Sequence, residues 1–526
     1  MRVEANPEFT PDEAALLNPY FTNMDQPVFA LTNLPEVVKG ALFSRYSRTE
    51  KSLRRVLLDE FLNQPELGFH NLPVSSGGDG LVARQAAEEF YDRVLVGFGD
   101  DSVAELAGAH LAVEQVSILA AKALEDSRIG ISPLEKSTRY VRFDRPGRDG
   151  RFMYHRGPEL AVPAYEGSAD RLFETYSELI DPLIARVRET YPIEDGESER
   201  AWKAATKAKA LDLLRGLLPA GTLTNLGLYG NGRAFEYLII KLAANEFPET
   251  QRLARAIHTQ LSLVMASFVR RALDPKYGEP AIGRLVESRE RLRRLARPGS
   301  AQLSPPSVRL IDFDPHAEAK VVAAALFGTS EGSLGDLTDV DSDAVLQAAM
   351  AGRANRRQRA PRAFEHSTYT FEVVANFAAY RDLHRHRMLT QDRQLLGTDL
   401  GFDLPPLLVE WGLGARVEEA VQAAAETHAQ LVSEVGGALA QYVLPIGFRV
   451  RWYMRVNLRE IYHLCELRTT PQGHPDYRWV AQEMFQRVQE VHPRLAAFGA
   501  FVDMGPGDDL ERRRSERRID TALAGA

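Results

Sequence analysis

The spacing of apolar positions divides the chain into strand-then-helix starts followed by long helices. Residues 27–31 alternate as a strand and lead into a helix that ends near Phe43; Asn33 or Thr32 caps it, and Pro35 suits its first turn. Residues 308–313 and 316–327 repeat that order. Helical periodicity then covers 102–125, 201–217, 231–244 and 416–442, and a further helix covers 457–468. Residues 371–384 read as an amphipathic segment, while 367–374 fit a helix or a strand equally well. Residues 1–25 read as an irregular leader, and 299–307 have linker composition. The run Arg512-Arg513-Arg514 with Arg517-Arg518, in a tail that begins at Gly505, reads as a solvated, frayed end.

Comparing the chain with itself exposes a duplication. Val37-Val38-Lys39-Gly40-Ala41-Leu42-Phe43 is echoed by Val321-Val322-Ala323-Ala324-Ala325-Leu326-Phe327. Leu217-Leu218-Pro219 precedes Asn231-Gly232-Arg233 by the interval that separates Val443-Leu444-Pro445 from Asn457-Leu458-Arg459. The offset falls from 284 residues at the first pair to 226 at the last, so the N-terminal copy carries insertions. A length of 526 residues independently calls for more than one core.

Composition narrows the function classes. With 44% hydrophobic and 26% charged residues the chain is an ordinary globular one. It has no apolar run near the roughly 18 to 20 residues that span a bilayer, and no apolar segment at its N-terminus, so it is expected in the cytoplasm without a membrane partner. A net charge of −8 argues against nucleic acid as a partner, yet suits a small anion held by converging arginines. The single cysteine, Cys465, excludes an intrachain disulfide and a cysteine-based metal cluster, and reads as core packing. His366, His384, His386, His463 and His474 form no recognised metal-ligand spacing, so no metal is expected. Arg145-Pro146-Gly147-Arg148-Asp149-Gly150-Arg151 matches no phosphate-loop spacing and reads as an exposed turn.

The densest chemistry is the triplet Arg385-His386-Arg387. Two guanidiniums and an imidazole side by side repel one another unless an anion or an electron-rich ring neutralises them, which points to a ligand. Upstream stands Phe364-Glu365-His366-Ser367-Thr368-Tyr369-Thr370-Phe371; downstream stand Val443-Leu444-Pro445, Asn457-Leu458-Arg459 and Arg468. Over roughly residues 308–500 this order resembles the flavin-dependent thymidylate synthases (ThyX). The family's Ser and Arg-Tyr beyond the triplet are missing: Leu395 stands where the Ser belongs. They recur in the other half as Glu135-Lys136-Ser137-Thr138-Arg139-Tyr140, preceded by Ser102-Val103-Ala104-Glu105, whereas Asp126-Ser127-Arg128 replaces the triplet there. Losses are complementary. Arg215 has Gln441 as its counterpart, and Arg468 has Leu242.

The resemblance implies an α/β (α+β) fold of two tandem ThyX-like domains, residues 26–298 and 308–504, each a sheet flanked by long helices, with a charged tail at 505–526; it favours a strand at 367–374. It further implies FAD-dependent methylation of dUMP or a related pyrimidine nucleotide to the thymidylate, with methylene-tetrahydrofolate and NADPH as possible co-substrates. Carried over residue by residue, Glu135, Ser137, Arg139, Arg215, Arg385 and Arg468 hold the nucleotide, and Arg385, His386, Arg387, Asn457, Arg459 and His463 hold FAD. Asp100 and Ala360 stand where the family often has a folate-associated His, and 474–478 departs from its helix motif, which weakens the folate part. Family sites are shared between four subunits, so a homodimer of this chain is the expected partner arrangement. The other class is a silent descendant that binds nucleotide or flavin, or serves as a scaffold.

Overall fold

The computed structural model describes residues 8–47, 49–63, 104–127, 129–147, 149–296, 304–336 and 340–524. Asp100, Ser102, Val103, Arg128, Arg148 and the start of the linker at 299–303 lie outside the described residues. Helices used below are, in chain order, α1 (Pro11–Leu17), α2 (Glu36–Tyr46), α3 (Ile118–Glu125), α4 (Pro163–Thr190), α5 (Glu199–Leu214), α6 (Gly232–Ala243), α7 (Pro248–Val269), α8 (Gly278–Leu295), α9 (Ala317–Phe327), α10 (Phe377–Leu383), α11 (Gly414–Glu434), α12 (Leu458–Arg468), α13 (Pro475–Val491) and α14 (Arg513–Ala524). Strands β1 (Gly108–Ser117), β2 (Ile131–Glu135) and β3 (Leu223–Asn231) form one sheet in the order β1-β3-β2. Strands β4 (Ser307–Phe313), β5 (Thr368–Asn376), β6 (Leu389–Arg393) and β7 (Arg449–Asn457) form another in the order β4-β5-β7-β6. The fold is α/β, as expected.

By contact the chain divides into two compact units, one of residues 1–113, 123–134 and 226–297, the other of 114–122, 135–225 and 298–526. In the first, α6 buries Phe235, Leu238, Ile239 and Leu242 at helical spacing against α7, which contributes Ile257, Leu261 and Phe268. Gly232 is required where α6 begins, since a Cβ there would lie 2.7 Å from Phe268 Cβ. In the second unit the four-stranded sheet is antiparallel throughout, with β5 buried almost fully at its Asn376 end and Tyr369, Phe371 and Trp452 in the core. Helix α13 packs on β4 and β5, α11 on α4, and α5 on both α4 and α14.

Several expectations are corrected. Residues 8–25 are not irregular throughout: Thr10 and Glu13 form a reciprocal capping box that starts α1. Residues 27–31 make no strand, because Leu31 pairs in a lone bridge with Phe21 while Phe29 stacks under the Arg54 guanidinium at 3.7 Å. Neither Asn33 nor Thr32 caps α2. Asn33 sits at φ 55° and both side chains donate to the Pro19 carbonyl, leaving Pro35 as a cap without a side-chain bond. The helix read over 102–125 is largely β1, whose pairing with β3 overrides an Ala- and Glu-rich composition; helix begins only at Ile118, capped by Ser117 Oγ on Ala120 N (2.9 Å). The amphipathic reading of 371–384 likewise splits, with Asn376 ending β5 and capping α10. The helix read over 416–442 breaks at Gly436, which adopts φ 87°. The tail is docked rather than frayed: Arg513 and Arg517 reach Glu194 and Glu197, and Arg200 reaches Glu516 and Asp520.

Inside the second unit the two copies meet through backbone bonds related by a local two-fold. Ala220 N donates to Leu444 O (2.8 Å), and its counterpart 226 residues on, Ile446 N, donates to Leu218 O (2.9 Å); Gly221 N to Tyr442 O (2.8 Å) is matched by Gly447 N to Gly216 O (2.9 Å). These are isologous contacts, of the kind that join two subunits, made within one chain. Equivalent bonds align the rest: Leu119 N to Ala220 O matches Ala378 N to Ile446 O, and Lys136 N to Asn225 O matches Gln394 N to Arg451 O. Lys122 therefore corresponds to Arg381, and Ser137 to Leu395.

Candidate active site

Helix α5 ends one turn after Asp212, placing Asp212 and Arg215 on one face at i, i+3. Asn376 caps α10 through Ala379 N (2.8 Å), and the short helix carries Arg381 and Asp382 up to the triplet. Asn457, expected at the flavin, caps α12 through Glu460 N (2.9 Å), the helix that carries Glu460 and Arg468. Each of these elements lies in the second unit.

Glu135 joins the two halves. Its buried carboxylate accepts from Lys122 Nζ (3.1 Å) and Arg381 Nη2 (2.6 Å), and Arg385 Nη2 stands 3.8 Å away. Arg139 grips Asp212 with Nε (2.8 Å) and Nη2 (2.6 Å), and its Nη1 donates to Tyr477 Oη (3.1 Å). Arg215, 3% exposed, gives Nη1 to Asp382 Oδ2 (2.9 Å), while its Nε and Nη2 have no hydrogen-bond partner. Arg468 and Arg139 both lie over the Tyr477 ring, at 5.5 and 5.9 Å. Ser137 Oγ accepts from Arg139 N (3.2 Å). The nucleotide face predicted from one half and the Arg-His-Arg face predicted from the other thus meet within a single chain.

Charges in this cluster do not cancel. Lys122, Arg139, Arg215, Arg381, Arg385 and Arg468 supply six cations, and Glu135, Asp212, Asp382 and Glu460 supply four carboxylates. Burial by itself disfavours the Asp382 carboxylate, but Arg215, Arg385, Arg468 and Arg139 outweigh it and hold the acid well below the usual range. Burial also opposes ionisation of Asp212, and Arg139 with Arg215 reverses that. Burial lowers the pKa of Arg468, against the pull of Asp382.

His386 is locked as a neutral ring. Its Nδ1 lies 2.8 Å from Glu460 Oε1, and its Nε2 accepts from Arg468 Nε at 3.0 Å, so the proton belongs on Nδ1. Burial, then Arg468, depresses its pKa well below the ordinary value, while burial raises that of Glu460. His463 is half-buried with its ring 5.5 Å from His386. His386, Glu460 and His463 come within 4.8 Å of one another, a cluster the spacing argument did not foresee. The guanidinium on His386 Nε2 repels any cation there, and His386 is held as a prop by its bonds to Glu460 and Arg468. Arg387 is half-buried and Arg385 exposed, so these two present the outward charge of the triplet. Arg459 is turned the other way, onto Ala360 O (2.7 Å) and Glu365 Oε1 (2.9 Å).

Two buried rings set a pH dependence. His386 and His474 are both held neutral mainly by burial. When unfolded they protonate below about pH 6.5, so their contribution is complete above that pH and is lost as pH falls toward the folded pKa values, by up to about 1.4 kcal/mol per pH unit for each ring. Denaturant titrations at pH 7.5, 6.5 and 5.5 should show His386→Gln with a shallower decline than the parent; parallel curves would contradict the neutral-ring assignment.

Asp212, Asp382, Arg381, Lys122, Glu460 and Tyr477 belong to the cluster but were not picked out from sequence. Asp212 and Asp382 each lie three residues before a predicted arginine, and Glu460 follows its cap by three, patterns that could have flagged them. At the position related by the two-fold, Gln441 is wholly buried and self-satisfied, accepting from Arg393 Nη1 (3.0 Å) and Leu396 N (2.8 Å). Leu395 is exposed beside it. Glu105 makes a surface pair with Arg233. Cys465 is buried, and burial pushes its thiol pKa up, as suits a packing residue.

Comparison with known proteins gives matches in both halves. The model of a family described as thymidylate synthase complementing protein matches residues 65–265 and again 309–494. A UPF0159 protein of Chlamydia muridarum is 42% identical over 97% of this chain and 98% of its own length. One from Thermoplasma acidophilum is 32% identical over 89% and 95%. A flavin-dependent thymidylate synthase of Geobacter sulfurreducens is 28% identical over 38% of this chain and 87% of its own. Among solved structures, a UMP/dUMP methylase from Streptomyces cacaoi bound with 5-Br dUMP is similar at 20% identity, covering 39% of this chain and 99% of that one, with a TM-score of 0.33. No helix among the described residues is long and apolar enough to cross a membrane.

Proposed function

Since the chain belongs to the thymidylate synthase complementing protein family, we propose that its composite site methylates a pyrimidine nucleoside monophosphate, dUMP to dTMP, with FAD as cofactor. The observation that carries this reading is the excess of positive charge in the cluster together with the unpartnered Nε and Nη2 of buried Arg215. A guanidinium buried without partners is costly, and a dianionic phosphate would satisfy it with two parallel bonds. Ser137 and Glu135 would then face the nucleotide, and Tyr477 would carry the guanidiniums of Arg139 and Arg468 on its ring.

The donor set suits a flavin on the triplet side. Arg385, Arg387 and His463 would hold it, and neutral His386, fixed by Glu460 and Arg468, would keep that wall rigid. A bound flavin supplies the redox chemistry, with NADPH as reductant and methylene-tetrahydrofolate as carbon source, while the chain orients and excludes water. Raised burial of Cys465 agrees with a reaction that needs no thiol. A homodimer would assemble four family copies.

A second reading is favoured by one observation: Arg139 is already held bidentately by Asp212. On that reading the ion pairs stitch the halves together and the chain is a silent nucleotide- or flavin-binding scaffold. Absorbance and calorimetry separate the two. The enzyme reading expects a yellow protein that binds one dUMP per chain, because Leu395 and Gln441 replace the second site, and Arg387→Ala should lose flavin. A colourless protein that neither takes up FAD nor binds dUMP would overturn it.

A further inference from the structure

The arginine run at the C-terminus is sorted by helical geometry into two pairs. On α14, Arg513 and Arg517 lie at i, i+4 and dock on Glu194 and Glu197. Arg514 and Arg518, one step round the helix, are exposed and line a separate cavity of about 410 Å³. Its other wall is the 355–357 loop, with Arg356 and Arg357, and the turn at 470–472. Four arginines therefore converge on one concavity in a chain whose net charge is −8.

The acidic groups present do not neutralise them. Asp508 pairs with Arg514 at 3.1 Å, and Glu511 is taken by Lys209 at 2.6 Å. Among the described residues, the side chains of Arg356, Arg357 and Arg518 make no hydrogen bond or ion pair. Holding like charges around a small polar cavity is unfavourable without a counter-ion, and guanidiniums on opposing walls match an anion with several oxygens in a row. Much of this cavity is built by residues 508–518, beyond the stretch that the family model matches.

We propose that this cavity is a second anion site that takes an oligophosphate group, a pyrophosphate or the phosphate chain of a nucleotide. It does not depend on the methylation reading. The 470–472 turn joins it to the first site, since Gln472 O faces Arg139 Nη2 at 3.5 Å. The phosphates belong either to a dinucleotide cofactor that reaches from one site to the other or to a free nucleoside triphosphate.

Calorimetric titration of the full chain with inorganic pyrophosphate tests this. Saturable, salt-sensitive binding is expected, weakened about tenfold or more by Arg514→Ala with Arg518→Ala, as for loss of charge-assisted bonds. Arg513 and Arg517 are left intact in that variant, so its melting temperature should hold. Arg356→Ala with Arg357→Ala, on the other wall, should weaken binding alike and serves as the independent variant if the first fails to fold. Displacement of pyrophosphate by FAD or NADPH assigns the site to a cofactor, and displacement by a nucleoside triphosphate alone assigns it to a free ligand. No pyrophosphate binding by the parent chain, binding unchanged in both variants, or displacement by dUMP would overturn the proposal.

Discussion

Glu135→Gln will destabilise the chain by about 3 to 5 kcal/mol, the range for removing one partner from a buried ionic cluster. The carboxylate is buried and gathers Lys122, Arg381 and the nearby Arg385, drawn from both halves of the sequence. An amide keeps the shape but not the charge, so two buried cations lose the carboxylate they share. Lys122 is 3% exposed and Arg381 is 5% exposed, and neither can recover its hydration by a small movement. Arg381 Nε already lacks a partner, which leaves that side chain more dependent on the bond that remains. Denaturant unfolding should show a lower midpoint with an unchanged slope. Glu105→Gln, in an exposed pair with Arg233, should cost no more than about 1 kcal/mol. Equal effects from the two changes would mean that the Glu135 cluster is not the joint described.

The duplication was legible because it rests on short motifs with fixed spacing. Leu217-Leu218-Pro219 and Val443-Leu444-Pro445 are where the copies exchange backbone bonds, so the repeat in sequence marks a real contact. Helices α5, α6, α9 and α12 lie where periodicity put them, and α5, α6 and α12 each start at a side-chain cap, Ser198, Asn231 and Asn457. The misread stretch over β1 shows the limit of that approach. Its alanines and glutamates favour a helix locally, but pairing with β3, over a hundred residues away, decides the outcome, and no local pattern carries such a partner. The tail failed for a related reason. A run of arginines looks solvated until Glu194 and Glu197 are brought opposite it.

The site shows the same division. Arginines announce themselves by type, and Arg139, Arg215, Arg385 and Arg468 do converge. Their counter-ions did not stand out, because an aspartate three residues before an arginine is common on any helix. Tyr477 sits in a stretch where the family pattern is blurred, and its contact with Arg139 crosses 338 residues of sequence. Asn457 and Arg459, which motif carry-over gave to the flavin, also have structural tasks: one caps α12 and the other braces Ala360 and Glu365.

That a complete site is assembled within one chain is tested most directly by complementation. Arg215→Met removes a cation of the face contributed by the N-terminal half, and Arg385→Ala one of the face contributed by the triplet. Each alone should lose roughly 1.5 to 3 kcal/mol of dUMP binding for a charge-assisted bond. The two variant chains are then unfolded together, refolded as a mixture and titrated with dUMP by calorimetry. Because Arg215 and Asp382 are bonded, and Glu135 and Arg381 are bonded, inside the same compact unit of the same chain, the mixture should bind no better than the separate variants. Recovery of tight binding at a fraction of the sites would show that the faces are exchanged between chains and would contradict the account.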